Sequence, residues 1–257
     1  MKCIILAAGT ATRMRPLTAN LPKCLLPVGG KPILQREIEL VAAAGIEQIG
    51  LVIGFQAEAI RGFVKRQFPY LRIRFIVNPK YESTNNAFSL LMAREFFYAG
   101  SKEKRPLHDL LLMDADIVFS PHLLPFFLNE GSPNRIGVRV AGHHDEEEVM
   151  VKVDALGDVL AIGKTTPLSD ACGESVGIEF FASHEAQRLF ETLEQRVRSG
   201  DGRNEFYEAS FQAMIDEGIR FKAVDVSPFS AMEIDTPEDL LAAEALLMIQ
   251  QGSSKDP

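Results

Sequence analysis

The chain contains no tryptophan and only three cysteines, Cys3, Cys24 and Cys172, among 257 residues. Three widely spaced thiols give neither a disulfide framework nor a metal-binding pattern, so a reducing, cytoplasmic setting is the simplest expectation. Without tryptophan the aromatic face that best holds an organic cation is missing. No apolar run approaches the roughly 18 residues of a membrane span. The N-terminal apolar stretch is too short for a secretory signal and runs at once into Arg13 and Arg15. Positive charge is also in deficit. A net charge of -8 gives the surface as a whole no attraction for nucleic acid or an anionic membrane, so any anion site must be a local basic pocket. Internal repeats and long linkers are absent as well.

What is present is an alternation of strand and helix. Lys2–Ala7 reads as a buried strand, Ile33–Ala44 as a helix closed by Gly45, and "IEQIGLVIGF" as a second strand. Gln56–Gln67 follows as a helix and "LRIRFIVN" as a strand. "NNAFSLLMAREFF" has helical spacing, and "DLLLMDADIVF" is an apolar strand ending in carboxylates. This order predicts an α/β fold: Rossmann-like, three-layered, with a mostly parallel mixed sheet. After about residue 130 the rhythm changes. "IGVRVAG", "VMVKVDALGDVLAIGK" and "ESVGIEFFA" read as strands, with a hairpin turn at Leu156-Gly157-Asp158. Helices return at His184–Arg198 and Glu205–Glu217. A last helix starts at Thr236-Pro237, with Thr236 and Asp239 as a capping pair. The expectation is one domain, 1–250, in two halves, 1–130 and 131–250, the second laying a small β layer over the first. Residues 251–257 are expected to fray.

Four places carry candidate chemistry. The first strand opens into a loop of small residues, Ala7, Ala8, Gly9, Thr10 and Ala11, followed by Arg13 and Lys23. At the C-terminal edge of a parallel sheet such a loop lets phosphate approach backbone N–H groups. Taken alone it is equally well a turn with solvated cations. It is not a Walker loop, since Leu25 stands at the first glycine position and Pro32 follows Lys31. Nor is it a dinucleotide fingerprint, because Ala11 replaces the second glycine. Asp114 and Asp116 lie two apart at the end of a strand, on one face, and suit a hard cation such as Mg²⁺. Asp235 precedes a helix that Thr236 already caps, which leaves its carboxylate available. Lys164, just past an apolar strand, either anchors an anion or marks the strand's exit into water. The cluster His143–Glu148 reads as a solvated loop, since consecutive residues rarely converge on one ion.

Together, "LAAGTATRMRPLT", "LPKCLLPVGGKP", "LLLMDADIVF", "GESVGIEFF" and "MEIDTPEDL" resemble, in order, the motifs of the nucleotidyltransferase family that activates sugar phosphates and phospho-alcohols. "YESTNNAFSLLMAREF" is most like the phosphocholine cytidylyltransferase branch. The resemblance implies that Leu6 to Thr10 wrap the nucleotide and that Arg13 sits on its triphosphate. Lys23 would stabilise the α-phosphate and the departing pyrophosphate. Asn85, Asn86 and Ser89 would lie near base and ribose. Asp116 and Asp235 would hold Mg²⁺, with Asp114 next to them, and Lys164 would bind the acceptor's phosphate. CTP is the implied nucleotide and a small phosphorylated or phosphonylated compound the implied acceptor, in a soluble enzyme for which a homodimer is an open option.

Two departures qualify this picture. Ala11 stands where the family motif has glycine, which matters if the backbone there is left-handed. The tryptophan that relatives place before the "EID" segment is missing, so a cage for an ammonium group would fall to Phe180, Phe181, Phe206, Tyr207 or Phe229, with Glu174 or Glu208 adding charge. The alternatives are a sugar-1-phosphate uridylyl-, thymidylyl- or guanylyltransferase, and a non-catalytic nucleotide sensor.

Overall fold

A computed structural model describes residues 1–100, 108–140 and 148–253. Its first half follows the predicted alternation: β1 (Lys2–Ala7), a small hairpin of β2 (Pro27–Val28) and β3 (Lys31–Pro32), α1 (Ile33–Ala43), β4 (Gln48–Ile53), α2 (Ala57–Gln67) and β5 (Arg72–Val77). Then come α3 (Asn86–Met92), α4 (Arg94–Tyr98), β6 (Leu110–Asp114), β7 (Ile117–Val118) and α5 (Leu123–Asn129). The second half supplies β8 (Asn134–Arg139), β9 (Met150–Val153), β10 (Val159–Gly163), β11 (Gly173–Phe181), α6 (Ser183–Ser199), α7 (Glu208–Asp216), β12 (Lys222–Asp225), β13 (Met232–Glu233) and α8 (Pro237–Ser253).

One nine-stranded sheet carries the fold, with its main path β10-β9-β11-β6-β1-β4-β5. Strands β6, β1, β4 and β5 are parallel neighbours, whereas β11 joins β6 antiparallel. The pleat of the buried strands sends alternate residues to opposite faces, so both faces need cover. Cys3, Ile5, Leu111 and Met113 pack under α1, α2 and α5. Ile4, Leu6, Leu110 and Leu112 pack under α3, α4, α6 and α7. The strands of the second half extend this same sheet instead of lying over it. Nine-residue β11 is long enough to pair with β6 at one end, with β9 at the other, and with β8 along its opposite edge. Strand β12, which has no clear sequence signal, adds to β8 in parallel.

Several predicted boundaries move for identifiable reasons. The strand expected to run through Asp116 breaks after Asp114, so β7 is a separate piece that pairs with β13 and not with the main sheet. The helix expected over residues 85–97 divides at Ala93. The one expected from Glu205 begins at Glu208, because Glu205 is held by Arg196 and the Tyr207 N–H donates to Asn86 Oδ1 at 2.8 Å. The hairpin at Leu156-Gly157-Asp158 forms as expected, with Gly157 at φ 79° and Asp154 Oδ1 accepting from Leu156 and Asp158. Helix α8 runs to Ser253, beyond the predicted start of fraying; residues 254–257 lie outside the described residues.

Lys2, at the start of the central strand, is 1% exposed. Its ammonium donates to the carbonyls of Phe96, Phe97 and Ala99 at 2.9, 3.0 and 2.8 Å. A cation at the C-terminal end of α4 satisfies carbonyls that no helical N–H reaches. Lys2→Met leaves those carbonyls buried and unpaired, and we expect it to cost about 3 kcal/mol, read as a lowered urea midpoint at unchanged slope.

Candidate active site

A cleft of about 660 Å³ opens at the C-terminal ends of β1 and β6. Its floor is the loop after β1. Gly54 packs beneath that loop, where a Cβ would stand 2.7 Å from the Ala8 carbonyl, and the Phe55 N–H donates to that same oxygen. Ala11 is left-handed, at φ 48° and ψ 51°, and Thr18 Oγ1 donates to its carbonyl at 2.7 Å. The glycine of the family motif thus occupies a position that needs a positive φ, and this chain holds alanine there. Next comes a single 3₁₀ turn, Thr12–Met14, which aims Arg13 into the cleft while Met14 is buried.

Met14 belongs to a separate apolar cluster with Leu26, Val28, Ile33, Val118, Ile234 and Ala243. That cluster joins the loop after β1 to the C-terminal segment. The two-residue ladder between β7 and β13 does the rest: Met232 pairs with Val118 and Glu233 with Ile117, and the Ile234 N–H donates to the Asp116 carbonyl at 3.0 Å. Asp116 and Asp235 therefore face one another. Lys23 sits between them, its Nζ 2.5 Å from Asp116 Oδ2 and 2.6 Å from Asp235 Oδ1. Arg13 Nη2 lies 2.7 Å from Asp235 Oδ2. Burial pushes the Asp235 carboxyl upward, but the charges of Lys23 and Arg13 outweigh it and hold the group below the ordinary aspartate value. The capping of α8 spares Asp235, as the sequence implied. Thr236 Oγ1 accepts from the Asp239 N–H, and Asp239 Oδ2 accepts from the N–H groups of Asp235 and Thr236.

Asp114 does not share this position. The strand ends at it, and although it also lines the cleft, its Oδ2 accepts the Tyr207 hydroxyl proton at 2.8 Å. Room for it comes from Gly177, at φ 66° in an irregular stretch of β11, where a Cβ would stand 2.9 Å from Asp114 Oδ2. Burial, and then the charges of Asp116 and Glu208, push the Asp114 carboxyl well above its ordinary range. Tyr207 is wholly buried and is not on the cleft wall, so its role is to fix Asp114 and not to touch an acceptor.

The remaining predicted residues divide in the same way. Leu6 to Thr10, Asn85, Asn86, Ser89, Lys164, Glu174 and Glu208 all line the cleft. Asn85 caps α3, its Oδ1 accepting from the Asn86 N–H at 2.8 Å, and Ser89 Oγ accepts from Asn78 at 3.0 Å. Of the expected aromatic cage only Phe206 is in the cleft, 41% exposed, with Lys164 Nζ 4.8 Å from its ring centroid. Phe180 lies under Arg135, Phe181 packs on Phe211 and Phe221, and Phe229 on Phe126. The sequence reading missed Arg139, Glu148 and Glu233. Glu148, assigned above to a solvated loop, sits on the cleft wall 3.5 Å from Arg139; His143 to Glu147 lie outside the described residues. Arg139 also pairs with Glu174. Burial, and then a hydrogen bond shared with Glu148, push Glu174 up to about 8 against the pull of Arg139.

The cleft is lined by eight carboxylate side chains and four cationic ones. Basic groups alone do not describe it: in isolation it is short of positive charge, and several carboxyl groups respond by holding protons. Glu208, 5% exposed with Oε2 lacking any hydrogen-bond partner, is driven by burial up to about 7. Among the described residues no group of three or more His, Cys, Asp or Glu is arranged to hold a metal. The pair Asp116 and Asp235 nevertheless fits an ion that also takes phosphate oxygens, and Asp116 Oδ1 is buried without a hydrogen-bond partner.

A small-residue loop at a sheet edge, two opposed carboxylates and paired cations define an enzyme that moves a phosphate-linked group from a nucleotide. The nucleotidyl transferase family model matches residues 2–148, and the chain belongs to that family. It is 28% identical, over 93% of its length and 98% of the relative's, to CTP:phosphoglutamine cytidylyltransferase of Campylobacter jejuni. It is 26% identical over 255 residues to CMP-5'-(3-aminopropyl)phosphonate synthase of Streptomyces rubellomurinus, covering 95% of this chain but 38% of that longer protein. In structure it superposes on CTP:phosphocholine cytidylyltransferase from Streptococcus pneumoniae with a TM-score of 0.73 at 22% identity, covering 96% of this chain and 98% of the other.

Two outcomes test the site as built. Ala11→Gly relieves the left-handed alanine and should raise stability by about 0.5–1 kcal/mol, after the entropy that glycine adds to the unfolded chain; differential scanning calorimetry reads this as a Tm gain of roughly 2 °C. Glu208 binds its proton more tightly folded, at about 7, than at its ordinary 4.5. Its contribution is therefore complete below pH 4.5 and is lost as pH rises through 7, so Glu208→Gln should flatten the fall in Tm across that window.

Proposed function

We propose that the chain is a Mg²⁺-dependent cytidylyltransferase that moves CMP from CTP to a small phosphorylated or phosphonylated acceptor bearing an ammonium group, with release of pyrophosphate. The observation that carries the reading is the meeting of Lys23, Arg13, Asp116 and Asp235 over the small-residue loop, from segments up to 222 residues apart. A sensor for nucleotides has no need of that full set. The cytidylyl preference rests on the relatives, three of which use or make CTP- or CMP-linked compounds by name.

The chemistry follows from placement. An acceptor phosphate oxygen attacks the α-phosphorus in line, the bond to the bridging oxygen breaks, and the electron pair leaves with pyrophosphate. Both partners are anions, so holding them in register and offsetting their charge carry the rate. The loop from Leu6 to Thr10 brings backbone N–H groups to the phosphates. Arg13 grips the triphosphate and Lys23 the α-phosphate and leaving group. Asn85, Asn86 and Ser89 border the base and ribose. Asp116 and Asp235 would hold the Mg²⁺, which when bound acts as Lewis acid and template. Asp114, fixed by Tyr207, supports that pair from behind. Lys164 holds the acceptor's phosphate, while Phe206, Glu208 and Glu174 form the acidic, half-aromatic end that accepts its ammonium.

The test is pyrophosphate release with CTP, UTP, dTTP, ATP and GTP crossed with phosphocholine, 2-aminoethylphosphonate, inositol phosphate and hexose-1-phosphates. Release with CTP and an amine-bearing acceptor is expected. Release only with UTP or dTTP and a hexose phosphate refutes the cytidylyl reading, and release with no pair supports the sensor. Asp116→Asn and Asp235→Asn should each lower kcat by about 10³ without unfolding the chain. Lys164→Ala should raise the acceptor's KM about tenfold and leave that for CTP unchanged.

A further inference from the structure

The oxygens assigned to the metal already hold a cation. Lys23 Nζ is 2.5 Å from one carboxylate and 2.6 Å from the other, and its side chain is 14% exposed. Arg13 takes the second oxygen of Asp235 at 2.7 Å. The lysine thus bridges the two carboxylates that would hold the dication. The charges of Asp116, Asp235, Lys23 and Arg13 sum to zero. With the lysine in position a dication would share the same two carboxylates with an ammonium a few ångströms away, and that like-charge contact is unfavourable at these distances.

A triphosphate changes the balance, because it offers both cations new anionic partners along the same wall of the cleft. The Lys23 backbone need not move for this. Its 3₁₀ turn, Lys23–Leu25, is anchored by buried Cys24 and Leu25, and four rotatable side-chain bonds suffice to swing the ammonium from carboxylate to phosphate.

We propose that Lys23 is a placeholder for the metal: it closes the Asp116–Asp235 pair in the nucleotide-free protein and gives the pair up when a nucleotide triphosphate takes its ammonium. The idea rests on the metal assignment made above and goes beyond it, since it makes metal and nucleotide bind with each other's help. The bare protein then resists divalent ions despite its acidic cleft, and the Lys23 ammonium reaches the phosphates as the carboxylates open.

The experiment is Mn²⁺ titration of the full chain, followed by the loss of the free-ion EPR signal, with and without the non-cleavable α,β-methylene analogue of CTP. Wild type should bind Mn²⁺ about tenfold or more tighter when the analogue is present. Lys23→Met should bind Mn²⁺ tightly without any nucleotide, with the analogue adding little. Lys23→Gln, which keeps a polar contact without the charge, should behave alike and serves if the methionine variant does not fold. Equal Mn²⁺ affinity of wild type and both variants in the absence of nucleotide overturns the placeholder. Adding Asp116→Asn and Asp235→Asn to Lys23→Met should abolish binding. Persistence of binding in that variant, or failure of every variant to bind even with the analogue, overturns the metal assignment, and the placeholder with it.

Discussion

The site depends on a ladder two residues long. Ile117–Val118 pairs with Met232–Glu233, and through it Asp116 meets Asp235. Among the described residues no other strand pairing sets those two carboxylates opposite one another. So short a ladder has little stability of its own. It persists because its ends are buried: Val118 and Ile234 share an apolar cluster with Met14 of the nucleotide loop and Ala243 of α8. Glu37 adds a second fixing point, since its fully buried carboxyl accepts from the Ile117 N–H at 3.1 Å. Burial raises the Glu37 pKa well above its ordinary value, so the contact does not require a bare charge in the core. Apolar packing thus fixes the geometry on which the polar chemistry depends.

The cleft wall shows how burial divides labour among carboxyl groups. Asp235 is held below its ordinary pKa by the charges beside it, whereas Asp114, Glu174 and Glu208 are pushed up by desolvation. The first is ready for a cation at any physiological pH. The others take up protons when no cation is near, which lets an acidic cleft exist in a stable protein. The acidic wall and the basic loop thus occupy different parts of one cleft.

Much of this was legible in the sequence, and the pattern of what was not is physical. Strong local signals gave the elements: Lys2–Ala7 as an apolar run, Gly45 as a helix stop, Thr236 and Asp239 as a reciprocal cap. The small-residue loop pointed to the nucleotide, and the doubt over Ala11 resolved into a left-handed alanine. Long-range pairing was harder. The side chains of Asp114 and Asp116 were expected on one face, but the strand ends between them. The turn sends Asp116 toward Lys23 and leaves Asp114 to Tyr207. Strand β12, β7 and β13 were not foreseen, because two to four residues carry too little periodicity to read. Arg139 and Glu148 were missed because they come from separate segments, Arg139 at the end of β8 and Glu148 just before β9, and meet at the cleft only because β11 pairs with both strands. Aromatic residues were over-assigned: composition reveals how many rings exist, not that Phe180 and Phe181 face the interior.

Strand β11 has one further consequence. It is paired at one end with β6 of the first half, at the other with β9, and on its opposite edge with β8 on both sides of an irregular stretch at Val176–Ile178. A single strand therefore joins the parallel strands of the first half to the strands of the second. The two halves cannot swing apart as jaws on a hinge without breaking a ladder of main-chain hydrogen bonds. Any change in the shape of the cleft must therefore come from the side chains and loops above this shared strand.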